Sequence, residues 1–315
     1  MKTFLGIDGG GTKTGFLLAD ESGRILAETK TGTTHYQQIG MEGIPGILRE
    51  GLDTVFSPSG TTVSDLAGVF FGCPGYGDTP ANEGPIREAA AKAFEDIPFT
   101  IGNDSENALA GALAGEPGIC LIMGTGSMGL GVNKDGKRLR CGGWHHAIGS
   151  DEGSGYWISI KMLTAFTRQS DGRDEKTPLY DAIREALELE YDGDVITRVV
   201  DEWQTDRTKV ASLTRLIPDL LEKDDPVVRS ILSAATGELA EIAGALYRQL
   251  GFTGEVRASC VGGVTNLGNA VLSPLAARLK EDSMILTTPV YGPDKGALIR
   301  AYLDAGFPIP EGFLI

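Results

Sequence analysis

GIDGGGTKT, residues 6–14, is the stretch that decides how the chain begins to fold. The residues 2–8 are apolar or β-branched and predict a strand, and the run 13–20 predicts a second one. A third strand is predicted at 24–31, after the turn residues Glu21-Ser22-Gly23. The chain therefore opens as a three-stranded meander whose first turn is made of glycines.

A glycine turn between two strands exposes backbone N–H groups with no side chains in the way, and such groups bind phosphate oxygens. A Walker loop is excluded, because Thr12 stands where that motif requires Lys and a strand follows where it requires a helix. For one loop on its own, an ordinary β-hairpin turn is an equal alternative. The hypothesis is a phosphate-binding hairpin, with the hydroxyl of Thr12 beside the turn.

A second glycine-rich hairpin begins the other half of the chain. The runs 119–123, 128–133 and 137–141 predict another three-stranded meander, and GTGSMG, residues 124–129, forms its first turn. This segment matches G-x-G-x-x-G, but a strand follows it, so a dinucleotide-binding turn is rejected. A duplicated fold is indicated, in which the two hairpins could hold the two ends of a triphosphate across a cleft.

The rest of the chain alternates between helical and strand patterns. The predicted helices are 41–56, 83–94, one that starts near Asp104, 269–280 and 294–305, and the pattern is helical throughout 154–250, most clearly at 226–250. The predicted strands are 66–72, 99–101, 255–261 and 284–288. Because 315 residues exceed one ordinary core, two domains are expected. We place them at 1–115 and 116–293, with the C-terminal segment 294–315 returning to the first.

The composition argues against nucleic-acid-binding, membrane-spanning and secreted proteins. Hydrophobic residues make up 41% of the chain and the net charge is −15, which argues against nucleic-acid or anionic-membrane surfaces but not against phosphate bound by backbone amides. No run reaches the ~18 apolar residues of a membrane span, and no secretory signal precedes Asp8. The four cysteines form no C-x-x-C pair, which favours reduced thiols. A cytoplasmic protein is expected.

Four short motifs occur in an order typical of one superfamily: Ile7-Asp8-Gly9-Gly10-Gly11-Thr12-Lys13, Asn103-Asp104, Met123-Gly124-Thr125-Gly126-Ser127 and Val261-Gly262-Gly263. With them, the chain resembles the actin/hexokinase/heat-shock-chaperone ATPases. The segment CGGWHHAIGSDEGSGYWI, residues 141–158, resembles the BadF/BadG/BcrA/BcrD group more closely, and in particular its N-acetylglucosamine kinase-like members. The resemblance covers nearly the whole chain.

The resemblance implies an α/β fold with two ribonuclease H-like lobes, the actin/hexokinase-type ATPase fold, and a cleft between them. It further implies ATP-dependent phosphorylation of an amino sugar, N-acetylglucosamine to its 6-phosphate, with Mg²⁺ as cofactor. Glucosamine and N-acetylmuramic acid are the alternative substrates. A homodimer is expected from the family and from the general symmetry of oligomers.

Asp104 is the candidate general base, since it lies where a strand ends and a helix begins, and a carboxylate suffices to accept the proton of a sugar hydroxyl. A helix cap is the alternative for Asp104. Asp8 is the candidate ligand of Mg²⁺, which prefers one or two carboxylates and several waters. The phosphates would contact the two hairpins, at Gly10, Gly11, Thr12, Lys13, Thr125, Gly126 and Ser127, and the adenosine would contact Ser212, Gly262 and Gly263.

By resemblance, the sugar would contact His35, Asp104, Gly143, Trp144, His145 and Asp151. Two departures from the pattern of the family affect this part of the prediction. His35 stands where these kinases carry Asn, and Ser150 is an extra residue before Asp151. The identity of the sugar therefore stays open.

Two other classes belong to the same superfamily. ATP-driven activators of CoA-ester dehydratases and reductases hold an iron–sulfur cluster between two subunits, which requires paired thiolates that Cys120 and Cys141 do not resemble. Actin-like or chaperone-like ATPases would hydrolyse ATP without sugar, and the chain lacks the long insertions of those proteins. An amino-sugar kinase is the preferred hypothesis.

Overall fold

A computed structural model of the chain describes residues 1–311 and 313. The chain divides into two compact units: residues 1–116 with the segment that begins at Thr288, and residues 117–287. Residues 288–293, expected in the second domain, fall in the first unit, where the amides of Val290 and Tyr291 donate to the carbonyls of Ala112 and Gly111. Of the predicted C-terminal segment, residues 312, 314 and 315 lie outside the described part.

Strands and helices follow one another as the hydrophobic patterns predict. The strands are β1 (Thr3–Gly9), β2 (Thr14–Asp20), β3 (Ile25–Thr31), β4 (Leu66–Cys73), β5 (Thr100–Asn103), β6 (Gly118–Met123), β7 (Ser127–Val132), β8 (Arg138–Gly142), β9 (Val256–Val261) and β10 (Met284–Thr287). The α-helices are α1 (Tyr36–Ser59), α2 (Pro80–Phe94), α3 (Asp104–Leu113), α4 (Gly155–Ser170), α5 (Pro178–Ala186), α6 (Asp194–Ile196), α7 (Arg207–Ala211), α8 (Ile217–Glu222), α9 (Pro226–Gln249), α10 (Asn269–Glu281) and α11 (Pro293–Asp304).

The first unit contains a five-stranded sheet with the strand order β3-β2-β1-β4-β5. β1 pairs antiparallel with β2 and parallel with β4, and β4 pairs parallel with β5. The carboxyl ends of β1, β4 and β5 therefore meet at the same edge of the sheet. Asp8, near the end of β1, and Asp104, directly after β5, are both brought to that edge.

The two faces of this sheet bury different cores, because successive side chains of a strand point to opposite faces. On one face, Leu5 and Ile7 of β1 pack with apolar residues of α1 and α2. On the other face, Phe4 stacks on Tyr302 of α11, with ring centroids 4.0 Å apart. Helix α11 can lie directly on β1 because Gly6 has no side chain. A Cβ at Gly6 would be 2.2 Å from the amide nitrogen of Leu298.

The second unit repeats the topology of the first. Its sheet has the order β10-β9-β6-β7-β8, with β6 antiparallel to β7 and parallel to β9. In both sheets the first strand is central, the next two strands form a meander on one side, and parallel strands follow on the other. The core of this unit is formed by β6 with α4, α9 and α10, through residues such as Leu121, Phe166, Leu239 and Leu275.

Two local structures differ from the sequence prediction. Helix α1 starts at Tyr36 and not at residue 41, and it contains a non-helical residue, Gly40, at φ 71°. The apolar spacing that predicts a helix over 41–56 covers only the part of α1 after this kink. After α6, the segment Thr197–Glu202 forms a π-helix, which no hydrophobic pattern distinguishes from an α-helix.

Within the part of the chain that the structure describes, none of the helices combines the length and the apolar character needed to cross a membrane.

Candidate functional site

Asp104 is the first residue of α3, and the residue before it caps the helix. The Oδ1 atom of Asn103 accepts a hydrogen bond from the amide of Ser105 at 3.0 Å and another from its hydroxyl at 2.7 Å. The capping alternative for Asp104 is therefore wrong.

The surroundings of Asp104 and of Asp8 disfavour the ionised form of each carboxyl group. Burial raises the pKa of Asp104 to about 7, and the charges of Asp8 and Asp78 add to this rise. Burial likewise raises the pKa of Asp8 to about 6, with a contribution from Asp294, against the hydrogen bond from Asn107 and the charge of Lys13. Carboxyl groups with pKa values near neutrality are typical of groups that exchange protons or bind cations.

Asn107, a residue that belongs to none of the sequence motifs, holds Asp8. Its Nδ2 atom donates to Oδ1 of Asp8 at 2.7 Å, and the residue is fully buried against β4, where a Cβ at Gly72 would be 2.1 Å from Nδ2. Among the described residues, Oδ1 of Asn107 has no hydrogen-bond partner. The available signal was its position three residues after Asp104, which places both on one side of α3.

The glycine turn between β1 and β2 is anchored through its carbonyl groups. The amide of Gly10 donates to the carbonyl of Lys13 at 2.9 Å, the hydroxyl of Thr33 donates to Gly10 O at 2.7 Å, and Gln38 Nε2 donates to Gly11 O at 2.9 Å. In a trans peptide the N–H points away from the preceding carbonyl. The amides of Gly11 and Thr12 therefore point away from Thr33 and Gln38, as a phosphate cradle requires.

The edge of the first sheet fits Mg²⁺ held through a single carboxylate. Among residues 1–311 and 313, no group of three or more His, Cys, Asp or Glu side chains could form an all-protein metal cage. Mg²⁺ does not need one, since it keeps several waters beside one or two carboxylates and substrate phosphates. Burial, with a smaller contribution from Asp294, raises the pKa of Asp8, and a bound cation would favour its ionised form.

His35 is the N-cap residue of α1. Its Nδ1 atom accepts a hydrogen bond from the amide of Gln37 at 3.3 Å, and its ring lies parallel to that of Tyr36 at a centroid distance of 5.8 Å. In a neutral imidazole whose Nδ1 is an acceptor, Nε2 carries the proton. His35 therefore presents a hydrogen-bond donor at Nε2.

The second glycine turn, between β6 and β7, is attached to the start of α4. The amides of Gly155 and Tyr156 donate to the carbonyls of Gly124 at 2.9 Å and of Thr125 at 3.2 Å. By the same peptide geometry, the amides of Thr125 and Gly126 point away from α4. The Ser127 hydroxyl already donates to the carbonyl of Glu152 at 2.6 Å, so it does not offer that proton to a phosphate.

Asp151 is buried next to this turn and paired with an arginine. Its exposed fraction is 4%, and its Oδ2 atom accepts a hydrogen bond from Nη2 of Arg207 at 2.6 Å. Its Oδ1 atom is 3.4 Å from the amide of Ser127. Arg207 is a second residue that the sequence analysis missed, because it lies 56 positions away from Asp151 in a region without a motif.

Three predicted nucleotide-binding residues from distant parts of the chain line one cavity of the second unit. Thr125, Ser212 and Gly263 contribute to its wall, together with residues of α7 and α8, and its volume is about 540 Å³. Gly262 does not line the cavity. It adopts φ 108° against the backbone of Met123, where a Cβ would be 2.6 Å from the nearest atom.

The predicted sugar segment lies on an exposed loop after β8. Gly143 and His145 have φ values of 68° and 96°, and the side chain of Trp144 is 67% exposed. The extra residue Ser150 closes the loop, since its hydroxyl accepts from the amide of Trp144 and lies 3.2 Å from a carboxylate oxygen of Glu152. Trp144 lines a groove beside α9 and α10, different from the cavity at Thr125.

Two sheets of the same strand order, each with a glycine turn after its first strand, define the actin/hexokinase-type α/β fold, and the predicted fold class is confirmed. The family profile described as the BadF/BadG/BcrA/BcrD ATPase family matches residues 5–298. The chain belongs to this family.

The chain is similar to several proteins named as amino-sugar kinases. It is 34% identical over 239 residues to an N-acetylmuramic acid/N-acetylglucosamine kinase of Clostridium acetobutylicum, covering 76% of this chain and 77% of the relative. It is 29% identical to an N-acetyl-D-glucosamine kinase of Dictyostelium discoideum, covering 80% and 81%. A solved structure from Chromobacterium violaceum, provisionally assigned as an N-acetylglucosamine kinase, is 25% identical, with a TM-score of 0.72 over 95% of this chain and 98% of that one.

Proposed function

We propose that this protein is an ATP-dependent sugar kinase that transfers the γ-phosphoryl group of ATP to the 6-hydroxyl of N-acetylglucosamine. The observation that carries the proposal is the carboxyl group of Asp104. It lies at the edge of the first sheet, it is not the N-cap of α3, and its pKa is raised to about 7. The similarity to kinases of N-acetylglucosamine and N-acetylmuramic acid supports an amino sugar as substrate.

In the proposed reaction, Asp104 accepts the proton of the attacking hydroxyl as the new oxygen–phosphorus bond forms. The bond between the γ-phosphorus and the bridging oxygen breaks, and ADP leaves with that oxygen. Mg²⁺ near Asp8 would neutralise charge on the phosphates. Because phosphoryl transfer has a loose transition state, the protein contributes mainly by positioning these groups.

The nucleotide would bind through backbone amides and one cavity. The amides of Gly11 and Thr12 on one hairpin and of Thr125 and Gly126 on the other are the proposed donors to the phosphates. The cavity lined by Thr125, Ser212 and Gly263 is the proposed nucleoside site, since about 540 Å³ is in the usual range of ligand pockets. Four further nucleotide contacts stay predictions: Gly10, Lys13, Ser127 and Gly262.

The sugar is proposed to contact Asp104 and the residues His35, Gly143, Trp144, His145 and Asp151. N-acetylmuramic acid is retained as an alternative substrate because one relative is named for it and for N-acetylglucosamine, and glucosamine is retained because another relative is named as a glucosamine kinase. The activator function is disfavoured: Cys73, Cys120 and Cys260 are buried, so their thiols could not reach a cluster shared with another subunit. A cytoplasmic homodimer stays a prediction.

The proposal is tested by measuring ADP release from Mg-ATP with glucose, glucosamine, N-acetylglucosamine and N-acetylmuramic acid. We expect strong stimulation by N-acetylglucosamine and a phosphorylated product that retains a free anomeric centre. Stimulation by a different amino sugar would replace the substrate and keep the kinase. ATP turnover that does not depend on sugar, or no turnover, would contradict the kinase proposal.

The rate is expected to depend on the protonation of Asp104. Because its pKa is raised to about 7, this group is protonated and inactive as a base at lower pH, so kcat/KM should fall about tenfold per pH unit below the apparent pKa. The negative charges of Asp8 and Asp78 raise the pKa of Asp104, whereas bound Mg²⁺ would favour ionised Asp104 and lower the midpoint of the pH profile. A profile that is flat from pH 5 to 8 would contradict a base with this pKa.

Gly263 offers a test of the nucleoside cavity. A Cβ at Gly263 would have no neighbour within 4 Å, so Gly263→Phe should fold normally while its ring occupies the cavity. We expect the KM for ATP to rise at least about tenfold, with little change in the melting temperature. The matched control is Gly193→Phe, which is equally unobstructed and lies outside the cavity wall. Equal kinetics for both variants would exclude this cavity as the nucleoside site.

A further inference from the structure

Arg207 occupies a defined position at the second glycine hairpin. It is the first residue of α7, which is capped by Asp206 through a 2.8 Å hydrogen bond from the amide of Lys209. Val210 and Ala211 are buried, so the short helix is fixed against the rest of the unit. The guanidinium group is therefore held by an anchored backbone.

The guanidinium lies over the glycine turn itself. A Cβ at Gly126 would be 2.6 Å from Nη2 of Arg207 and 3.0 Å from Oδ1 of Asp151. A side chain at Gly126 would therefore displace the guanidinium from this position. Because Gly126 has no side chain, the guanidinium of Arg207 can lie next to the turn whose amides are the proposed phosphate donors.

The pairing of Arg207 with Asp151 leaves part of the guanidinium unused. Nη2 donates to Asp151 at 2.6 Å, whereas Nε is buried and has no hydrogen-bond partner among the described residues. About a third of the side chain, 36%, is exposed. The positive charge also affects His146, whose pKa is lowered by burial first and then by Arg207.

We propose that Arg207 is a phosphate-binding residue, which holds Asp151 in the free protein and donates hydrogen bonds to the polyphosphate chain of the bound nucleotide. The inference rests on the proposed function, because it assumes that the second hairpin binds ATP. A planar guanidinium matches a phosphate group with two parallel hydrogen bonds, and it remains charged at any physiological pH. In a protein with a net charge of −15, this positive charge would add to the attraction that the backbone amides of the hairpin provide for a triphosphate.

The competing explanation is that Arg207 only neutralises Asp151. The two roles are separated by comparing Arg207→Gln with Asp151→Asn, because both variants break the ion pair but only the first removes the guanidinium. If Arg207 binds phosphate, Arg207→Gln should weaken Mg-ATP binding at least about tenfold, and Asp151→Asn should leave it within about threefold. If Arg207 is only the partner of Asp151, the two variants should weaken binding equally.

The experiment is calorimetric titration of each variant with Mg-ATP in the absence of sugar. Because Arg207→Gln leaves a buried carboxylate without its partner and could unfold, the double variant Arg207→Gln/Asp151→Asn is measured as well and should show the same loss of ATP affinity. Arg229→Gln, which removes an exposed arginine paired with Asp224, is the control for charge and should bind as the wild type does.

Unchanged ATP affinity in both Arg207 variants, or an equal loss in Asp151→Asn, would overturn the inference while the proposed function stands. Failure of the wild-type protein to bind Mg-ATP would instead contradict the proposed function. The binding measurement therefore distinguishes the two failures without any assay of sugar phosphorylation.

Discussion

Asp104→Asn is expected to lower kcat by ~10²–10⁴, the usual contribution of a general base, while the protein stays folded. Asparagine has nearly the same shape as aspartate but cannot accept the proton of the sugar hydroxyl. We expect α3 to keep its start in the variant, because its N-cap residue is Asn103 and not Asp104. The measurement is steady-state kinetics with Mg-ATP and N-acetylglucosamine.

The same variant is expected to be more stable than the wild type at neutral and alkaline pH. The pKa of Asp104 is raised from 3.8 to about 7 in the folded protein, so the folded state binds a proton that the unfolded state has already released. Ionised Asp104 therefore opposes folding, increasingly from pH 4 to 7 and fully above pH 7. Asn removes this cost, and the melting temperature should rise by a few degrees at pH 8, at about 2–4 °C per kcal/mol.

The control for this prediction is Asp96→Asn, an exposed carboxylate of the same unit. We expect neither its kinetics nor its melting temperature to change by a measurable amount. The stability gain of Asp104→Asn should disappear toward pH 4, measured by calorimetry in metal-free buffer. Unchanged kcat in Asp104→Asn would remove it as the base, and a lower melting temperature would indicate a structural role.

Gly296→Ala is expected to cause the largest loss of stability, about 3 kcal/mol or more, because it forces two backbones apart. A Cβ at Gly296 in α11 would be 1.9 Å from the carbonyl oxygen of Asn107 and 2.6 Å from the amide nitrogen of Gly111, both in α3. Backbone atoms inside a helix cannot rotate away as a side chain can. The helix that carries Asp104 and Asn107 would have to move, so activity should fall together with stability.

The measurement is the midpoint of urea unfolding, with Gly46→Ala in α1 as the matched control. A Cβ at Gly46 meets nothing within 4 Å, so alanine there should stabilise the protein by about 1 kcal/mol through helix propensity alone. The two identical substitutions are thus expected to have opposite signs. An unchanged midpoint for Gly296→Ala would show that α3 and α11 are not in direct backbone contact.

Much of the fold could be predicted because its signals are local in the chain. Apolar periodicity and glycine breaks located the strands of both sheets and the helices α9, α10 and α11 to within a few residues. The start of α1 was misplaced because Gly40 interrupts the helical pattern, and its cap, His35, is not among the usual capping residues. The repeated meander was sufficient to predict two similar sheets.

The candidate site could be predicted only in part. Asp104 was found because it lies where a strand ends and a helix begins, and Asp8 because it belongs to the first glycine-rich motif. The glycine turns carry their own signal. Asn107 and Arg207 were missed, since a buried hydrogen bond to Asp8 and an ion pair to Asp151 depend on contacts between segments far apart in the chain. Long-range contacts of this kind leave no periodic pattern.

By itself the sequence determined the order of strands and helices, the duplicated glycine turns and the candidate base, because these follow from the properties of neighbouring residues. Only the tertiary structure decided how those residues are used. Burial together with Asp8 and Asp78 raises the pKa of Asp104, Asn103 takes over the capping role, and Arg207 is brought to Gly126. Charge and burial act through space, and the chain must fold before they can act.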